Sequence, residues 1–517
     1  MDRMVRFCRI AFLLLSSATL FAQGAGAPAQ NASEKKVELA LATARKNPLA
    51  LRSFLQGMPK GADLHSHLSG AVYAESFIRA AVEDGLCVDP ETNSFAKPQS
   101  TSDSFPPQPV CAEGKVPANQ ALKNQHLYDA LVNAFSMRGW VPGSGVTGHD
   151  HFFDTFAKFG GTDVRHIGEW VDEVATRAAA QNEQYLELMT TPTATRLYSL
   201  VQVVGWHDDF KQQRDDLLAR GLRDDVPTAR AYLDRAEATR RQREHCGEAG
   251  EAPACKVLVR YIYQVARGNP KEIVFAQALL GFEVASADPR VLGINFVQPE
   301  DGYISMTDYA LQMRMVGFLH DLYPRVHISL HAGELAFGLV PPEGLCCHIR
   351  LAVEQAHAER IGHGVDVMYE DRAHELLKEM AKRHVMVEIN LTSNDVILGI
   401  RGKDHPFSIY RQFHVPMAFS TDDEGVSRID LTNEYVRAVE TYDLRYSDLK
   451  QLVRTGLEHS FLPGASLWRD ADVFGAANSA CAGNPLGGGK SSSSCAAFLK
   501  SSEKASQQWE LERRFRV

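Results

Sequence analysis

Residues 61–71 read GADLHSHLSGA, a short apolar run that closes on two histidines one residue apart. Side chains alternate between the faces of a strand, so His65 and His67 project from one face and converge. Such a pair at a strand end is half of a metal site. Most of the 19 histidines need no such reading, so the other half must come from elsewhere in the chain.

Working outward from Ala62–Leu68, seven further short, β-branched apolar segments recur. They are Tyr185–Met189, Val257–Tyr263, Val291–Val297, Val326–Leu330, Arg360–Gly362, Val385–Leu391 and Val415–Phe419. Eight buried strands separated by helical stretches are the pattern of a parallel (β/α)8 barrel of the TIM type, in the α/β class, with its active site at the carboxyl ends of the strands. We expect it over residues 58–480. Two connections are too long for plain loops and are expected as large insertions, near 87–165 (with FAKPQSTSDSFPPQP at 95–109) and 196–256 (with RAEATRRQREHCGEAGEAPAC at 235–255). Before the barrel, residues 28–57 are expected as a helical lead-in, unstructured up to about residue 33 and one periodic helix over Lys35–Leu55. Residues 481–517 read as a Gly/Ser-rich linker and a C-terminal tail ending in a docked helix.

Bulk properties bound the function. A chain of 517 residues, 44% hydrophobic and 23% charged, can bury a large core, and a net charge of −9 argues against a nucleic-acid partner. Arg3, Arg6 and Arg9 precede an apolar stretch from Ile10 to Leu15 and then small residues, which predicts a signal peptide over 1–27. No later segment is long enough to span a membrane, so an exported protein, periplasmic or secreted, is expected. Eight of the nine cysteines remain after the signal. Neighbours along the chain suggest Cys87–Cys111, Cys246–Cys255 and Cys481–Cys495 disulfides, leaving Cys346 and Cys347. Oligomeric state has no signature in the sequence.

The ends of the later strands carry the chemistry. SLHAGE (329–334) offers His331 and Glu334, RIGHGVD (360–366) His363, and FSTDDEG (419–425) Asp422 and Asp423. Each has a plain structural reading: a core histidine, a helix N-terminal charge, a turn residue, a cap. Together, in barrel order at strand ends, they read as a site. His65, His67, His331 and Asp422 form three imidazoles and a carboxylate suited to a catalytic zinc. Glu334, His363 and Asp423 remain as acid–base groups.

In order and context, DLHSHLSGA, HAGE, RIGHG and STDD resemble the adenosine deaminase family of the metal-dependent amidohydrolase superfamily, as do YLELMTTP (185–192) and INLTSND (389–395). The MPKGADLH lead, the signal and the insertions are similar to the secreted branch of adenosine-deaminase-related growth factors. The resemblance implies one Zn2+ per chain on His65, His67, His331 and Asp422. It also implies Glu334 as donor to purine N1, His363 as base or orienter of the water and Asp423 as partner of N7. Zinc lowers the pKa of its water to about 7; protonation at N1 makes C6 electrophilic, hydroxide adds and ammonia leaves. The implied activity converts the small-molecule purine nucleosides adenosine and 2′-deoxyadenosine to their inosine forms. VLGINFVQPED (291–301) contains no lysine, which favours one metal over two.

Two positions depart from the family pattern. Ser69 stands where an aspartate commonly holds the ribose 5′-hydroxyl. Gln298 stands where a glycine N–H commonly meets purine N3, and its side chain is expected to reshape the pocket. They leave open another 6-aminopurine as substrate: adenine, or a modified or phosphorylated nucleoside. Arg165, Arg196 and Arg260 are too scattered in sequence to form a phosphate cluster. An extracellular nucleoside-binding signalling protein using its insertions for a partner is the reading from another class, and an ester or amide hydrolase a third. His357-Ala-Glu359 lacks the Pro-Cys-x-x-Cys of the other zinc deaminase fold and is expected as a helix surface pair. Asn390-Leu-Thr392 fits a glycosylation acceptor but falls in an expected buried strand. Gly143-Ser144-Gly145 is expected as a loop.

Overall fold

Eight parallel strands hydrogen-bond in chain order. They are β1 (Gly61–His67), β2 (Glu183–Thr190), β3 (Leu258–Ala266), β4 (Val291–Val297), β5 (His327–Ala332), β6 (Arg360–His363), β7 (Met386–Ile389) and β8 (Met417–Phe419). The computed structural model describes residues 32–100, 109–162, 164–192 and 194–516. The expected signal peptide, the start of the lead-in and residues 101–108 of the Ser/Pro-rich patch lie outside the described residues. The ring is closed by a bridge between Ser66 and Asp422. There the His67 N–H donates to the Asp422 carbonyl (3.1 Å) and the Asp422 N–H to that of His65 (2.8 Å). The seam of the barrel and three of the expected ligands are thus the same few residues.

Strands covered on both faces read as apolar runs, and here the outward residues pack under helices. Leu64, Leu186, Ile328, Val387 and Ile389 belong to one large core. The helix Lys271–Ala287 is buried over most of its length, because its Ala, Leu, Val and Phe residues leave no polar face to turn outward.

Several expectations need correction. The lead-in is two helices, Ala32–Ala44 and Pro48–Gly57. Asn47 accepts from the N–H groups of Leu49 and Ala50, and Pro48 follows at the first helical position, a start signal inside the periodic run. The 196–256 stretch supplies a wall of the barrel. Its helix Val226–Arg243 sends Ala229, Tyr232, Leu233 and Ala236 into the main core, a narrow stripe at helical spacing hidden among charges. The Gly-rich part of 481–517 is a packed turn and not a loose linker. The Cys481–Cys495 disulfide spans it, and a Cβ on Gly487 would lie 2.2 Å from the Arg513 nitrogen. His357-Ala-Glu359 is a loop into β6, where the Glu359 N–H donates to the Ile328 carbonyl. Asn390 follows β7, buried.

The 87–165 excursion has a core of its own, around Phe77, Phe135, Phe152 and Phe159, beneath a small antiparallel sheet in which Cys87–Asp89 is central. Its helix Gly148–Lys158 seats on the helix Leu391–Leu398 that follows β7. The approach requires glycine: a Cβ on Gly148 would stand 1.8 Å from the Val396 carbonyl oxygen. Gly143–Gly145 forms a turn. The three expected disulfides are present, and Cys346 and Cys347 form a fourth with each other. Among the described residues no helix is long and apolar enough to cross a membrane.

Candidate active site

Two side chains at the end of β1, one at the end of β5 and one just past β8 meet inside the barrel mouth. His331 Nε2 lies 3.1 Å from His65 Nε2 and 3.2 Å from His67 Nε2. Asp422 Oδ1 lies 3.4 Å from the former imidazole and 3.2 Å from the latter. The alternation of β1 places its two imidazoles together, and a φ of 61° at Asp422 turns the chain sharply where β8 ends.

The outer edge of each ring decides what these atoms are. His65 Nδ1 is 2.5 Å from Glu388 Oε2, His67 Nδ1 2.8 Å from Gln264 Oε1 and His331 Nδ1 2.7 Å from Asn295 Oδ1. All three partners are acceptors, so each imidazole donates from Nδ1 and keeps a lone pair on Nε2. Three nitrogen lone pairs and a carboxylate oxygen then face one another, an arrangement that repels itself unless a cation sits among them. The set has the N/O chemistry and the outer hydrogen bonds of a catalytic zinc site. It is the expected quartet, and its four ligand atoms lie within 4.8 Å of one another.

Around it stand the acid–base groups. The Glu334 carboxyl is buried, and burial first, then the Asp422 and Glu300 carboxylates, hold it well above the usual carboxylate range, which favours its protonated form. Its Oε1 is 3.7 Å from His363 Nδ1. His363, with φ 69°, reaches 3.8 Å from Asp422 Oδ2. Its pKa is lowered to about 4 by burial, leaving a neutral imidazole. Burial pushes Asp423 up to about 7. A proton donor, a neutral base and a third carboxyl beside a cation-shaped hollow are what addition of water to a C=N bond requires.

A profile of the adenosine deaminase family matches residues 161–467. This chain belongs to the adenosine deaminase family. An adenosine deaminase of Clostridium perfringens is 29% identical over 168 residues, 32% of this chain and 43% of that protein. One from Escherichia coli is 35% identical over 137 residues, 26% of this chain and 38% of the relative. These matches span less than half the length of either relative. Among solved structures, an adenine deaminase from Arthrobacter aurescens has a TM-score of 0.51 at 16% identity, covering 78% of this chain and 94% of that one. Arabidopsis ADAL complexed with IMP has a TM-score of 0.51 at 20% identity, with 79% and 94% covered. At these identities the likeness is one of fold.

Within this adenosine deaminase family barrel, the two departures stand in different settings. Gln298 has φ 85°, a left-handed conformation that favours glycine. Its side-chain oxygen accepts from the Gly268 N–H at 2.9 Å, which fixes the side chain against the loop after β3. Ser69 lies half-buried on the short helix Leu68–Ala71. The three arginines considered for phosphate are committed elsewhere: Arg165 pairs with Asp84, Arg196 with Asp224 and Arg260 with Glu503.

Sequence reading missed the residues behind the ligands. Glu388, Asn295 and Gln264 hold the rings, Arg360 forms an ion pair with Glu388, Nε to Oε1 2.7 Å, and Asn394 bridges His363 Nδ1 and His405 Nε2. A signal existed: Glu388 and Asn295 are each a polar residue inside an otherwise apolar strand, and Gln264 stands in one whose other strongly polar residue is Arg260.

Proposed function

We propose that the chain is an exported, zinc-dependent hydrolytic deaminase that converts adenosine or 2′-deoxyadenosine to its inosine form and ammonia. The convergence of three Nε2 lone pairs on Asp422, each ring fixed by an acceptor at Nδ1, carries the reading. His65, His67, His331 and Asp422 would hold one Zn2+. Bound there, zinc supplies Lewis acidity that makes water a nucleophile at neutral pH.

The chain's own groups supply the rest. Glu334, protonated by its surroundings, donates to purine N1 and draws electron density from C6. Neutral His363 takes up and orients the proton of the attacking water. Asp423, protonated up to about pH 7, donates to N7. The backbone N–H of Gln298 donates to N3, its side chain being bonded to the Gly268 N–H. Both ends of the purine are thereby gripped, and the developing charge at N1 is met by a group placed in advance.

A neutral nucleoside fits better than a nucleotide, because Arg165, Arg196 and Arg260 are paired. Near the loop after β4, Asp301 is bonded to His149 at 3.0 Å, an acidic element rather than a phosphate clamp. Four disulfides support an oxidising compartment. The second reading is deamination of free adenine, favoured by Ser69, whose hydroxyl grips a ribose less firmly than a carboxylate. The test is the ultraviolet change when zinc-loaded protein meets adenosine, 2′-deoxyadenosine, adenine and AMP, with Glu334→Gln as control. Turnover of adenosine by the native chain alone supports the assignment. Exclusive turnover of adenine or AMP would replace the substrate, and inertness toward all four would overturn the reading.

A further inference from the structure

One buried carboxamide beside the site has no partner among the described residues. Asn390 is 1% exposed, yet neither Oδ1 nor Nδ2 makes a hydrogen bond. It precedes the helix Leu391–Leu398 without capping it. An amide buried with both ends open is costly, and nearly all buried polar groups in folded proteins are satisfied. A side chain kept in that state is one that something else satisfies.

Its direction follows from the strand. Glu388, on β7, turns into the barrel to accept from His65 Nδ1. Two residues further along the extended run, Asn390 shares that face and stands one step nearer the mouth. β7 pairs with β6 through Gly362 and Glu388, and with β8 through Ile389 and Phe419. His363 Nε2 and Asp423 Oδ1, at the ends of those neighbours, are buried and open as well. Three consecutive strands therefore present unfilled polar atoms at one arc of the rim.

We propose that Asn390 is a substrate-binding residue that reads the exocyclic 6-amino group of the purine. The inference rests on the deaminase reading above. In that reading Glu334, after β5, meets N1, and Asp423, after β8, meets N7. On the purine perimeter C6 and its amino group lie between N1 and N7, and β7 lies between those two strands. Oδ1 of Asn390 accepts from the amino group, and Nδ2 donates to the oxygen that replaces it. A carboxamide can do both, whereas a carboxylate can only accept.

The experiment compares kcat/KM of the native protein and Asn390→Leu on adenosine and on 6-chloropurine riboside, which carries no N–H at C6. The melting temperature of both proteins is measured alongside. Loss of one buried hydrogen-bonding partner predicts a fall of roughly 10- to 100-fold on adenosine. The chloro substrate should lose several-fold less. Leucine is close in volume and removes an unsatisfied amide, so the melting temperature should hold or rise. An equal loss on both substrates, a fall on adenosine under about three-fold, or a clear drop in melting temperature would overturn the role of Asn390 while leaving the deaminase reading intact. A native protein inert toward every purine overturns both.

Discussion

Glu334 is where local environment changes what a residue is. A glutamate at the surface is a base; buried beside Asp422 and Glu300 it is pushed toward its protonated form, the form the proposed deamination needs at N1. Replacing it by glutamine keeps size and polarity but removes that proton. We expect Glu334→Gln to fold and to bind metal stoichiometrically, and to lose at least about 10³-fold in kcat, read by the ultraviolet assay with metal analysis of the same sample. Glu388 acts through His65, which it touches at 2.5 Å. Glu388→Gln should weaken zinc affinity by about 10- to 100-fold, measured by competition with a chromogenic chelator, and an unchanged affinity would mean that the negative charge behind His65 does not tune the metal.

At the scale of elements, the helices after the strands carry strained charge. Glu434, on the helix Leu431–Thr441, is fully buried and accepts from the N–H and hydroxyl of Thr392. Burial pushes its carboxyl up to about 7 from 4.5. The folded state therefore holds this proton more tightly than the unfolded chain does. Its contribution is complete below about pH 4.5 and is lost as pH rises to 7, a change of roughly 2–3 kcal/mol. Glu434→Gln keeps one acceptor, for the Thr392 N–H, while the Thr392 hydroxyl can turn to accept from the new amide; it should flatten the fall in stability between pH 4.5 and 7, read from denaturant midpoints across that range. An identical slope in the variant would assign the dependence to other carboxyls. The elements also show why some assignments failed from sequence. The break at Asn47-Pro48 was a local signal inside a periodic run. The wall helix Val226–Arg243 was concealed because four apolar residues are a small minority in a charged segment.

For the whole molecule, site and fold share a seam. Ser66 and Asp422 close the barrel, and the ligands on either side of that closure belong to β1 and the end of β8. A cation bound there ties the first strand to the last, so its binding free energy adds to the stability of the native state. Dialysis against a chelator should lower the melting temperature by several degrees, and added Zn2+ should restore it. A melting temperature indifferent to metal would show that the seam is held by its backbone hydrogen bonds alone.

The sequence by itself determined the barrel, because eight buried parallel strands must be apolar on both faces and that pattern is local. It singled out His65, His67, His331 and Asp422, which the structure brings within 4.8 Å of one another, and Glu334, His363 and Asp423 for a related reason: rare residue types stand at countable positions at strand ends. Three disulfides were legible from spacing. Only the tertiary structure decided what lies behind and between those residues. The acceptors on Nδ1 come from β3, β4 and β7, far apart in the chain, and the neutral state of His363 depends on burial. The hydrogen bond of Gln298 to Gly268 and the open amide of Asn390 depend on which neighbours arrive in three dimensions. Whether a polar group is satisfied is a property of its surroundings, and no spacing along the chain records it.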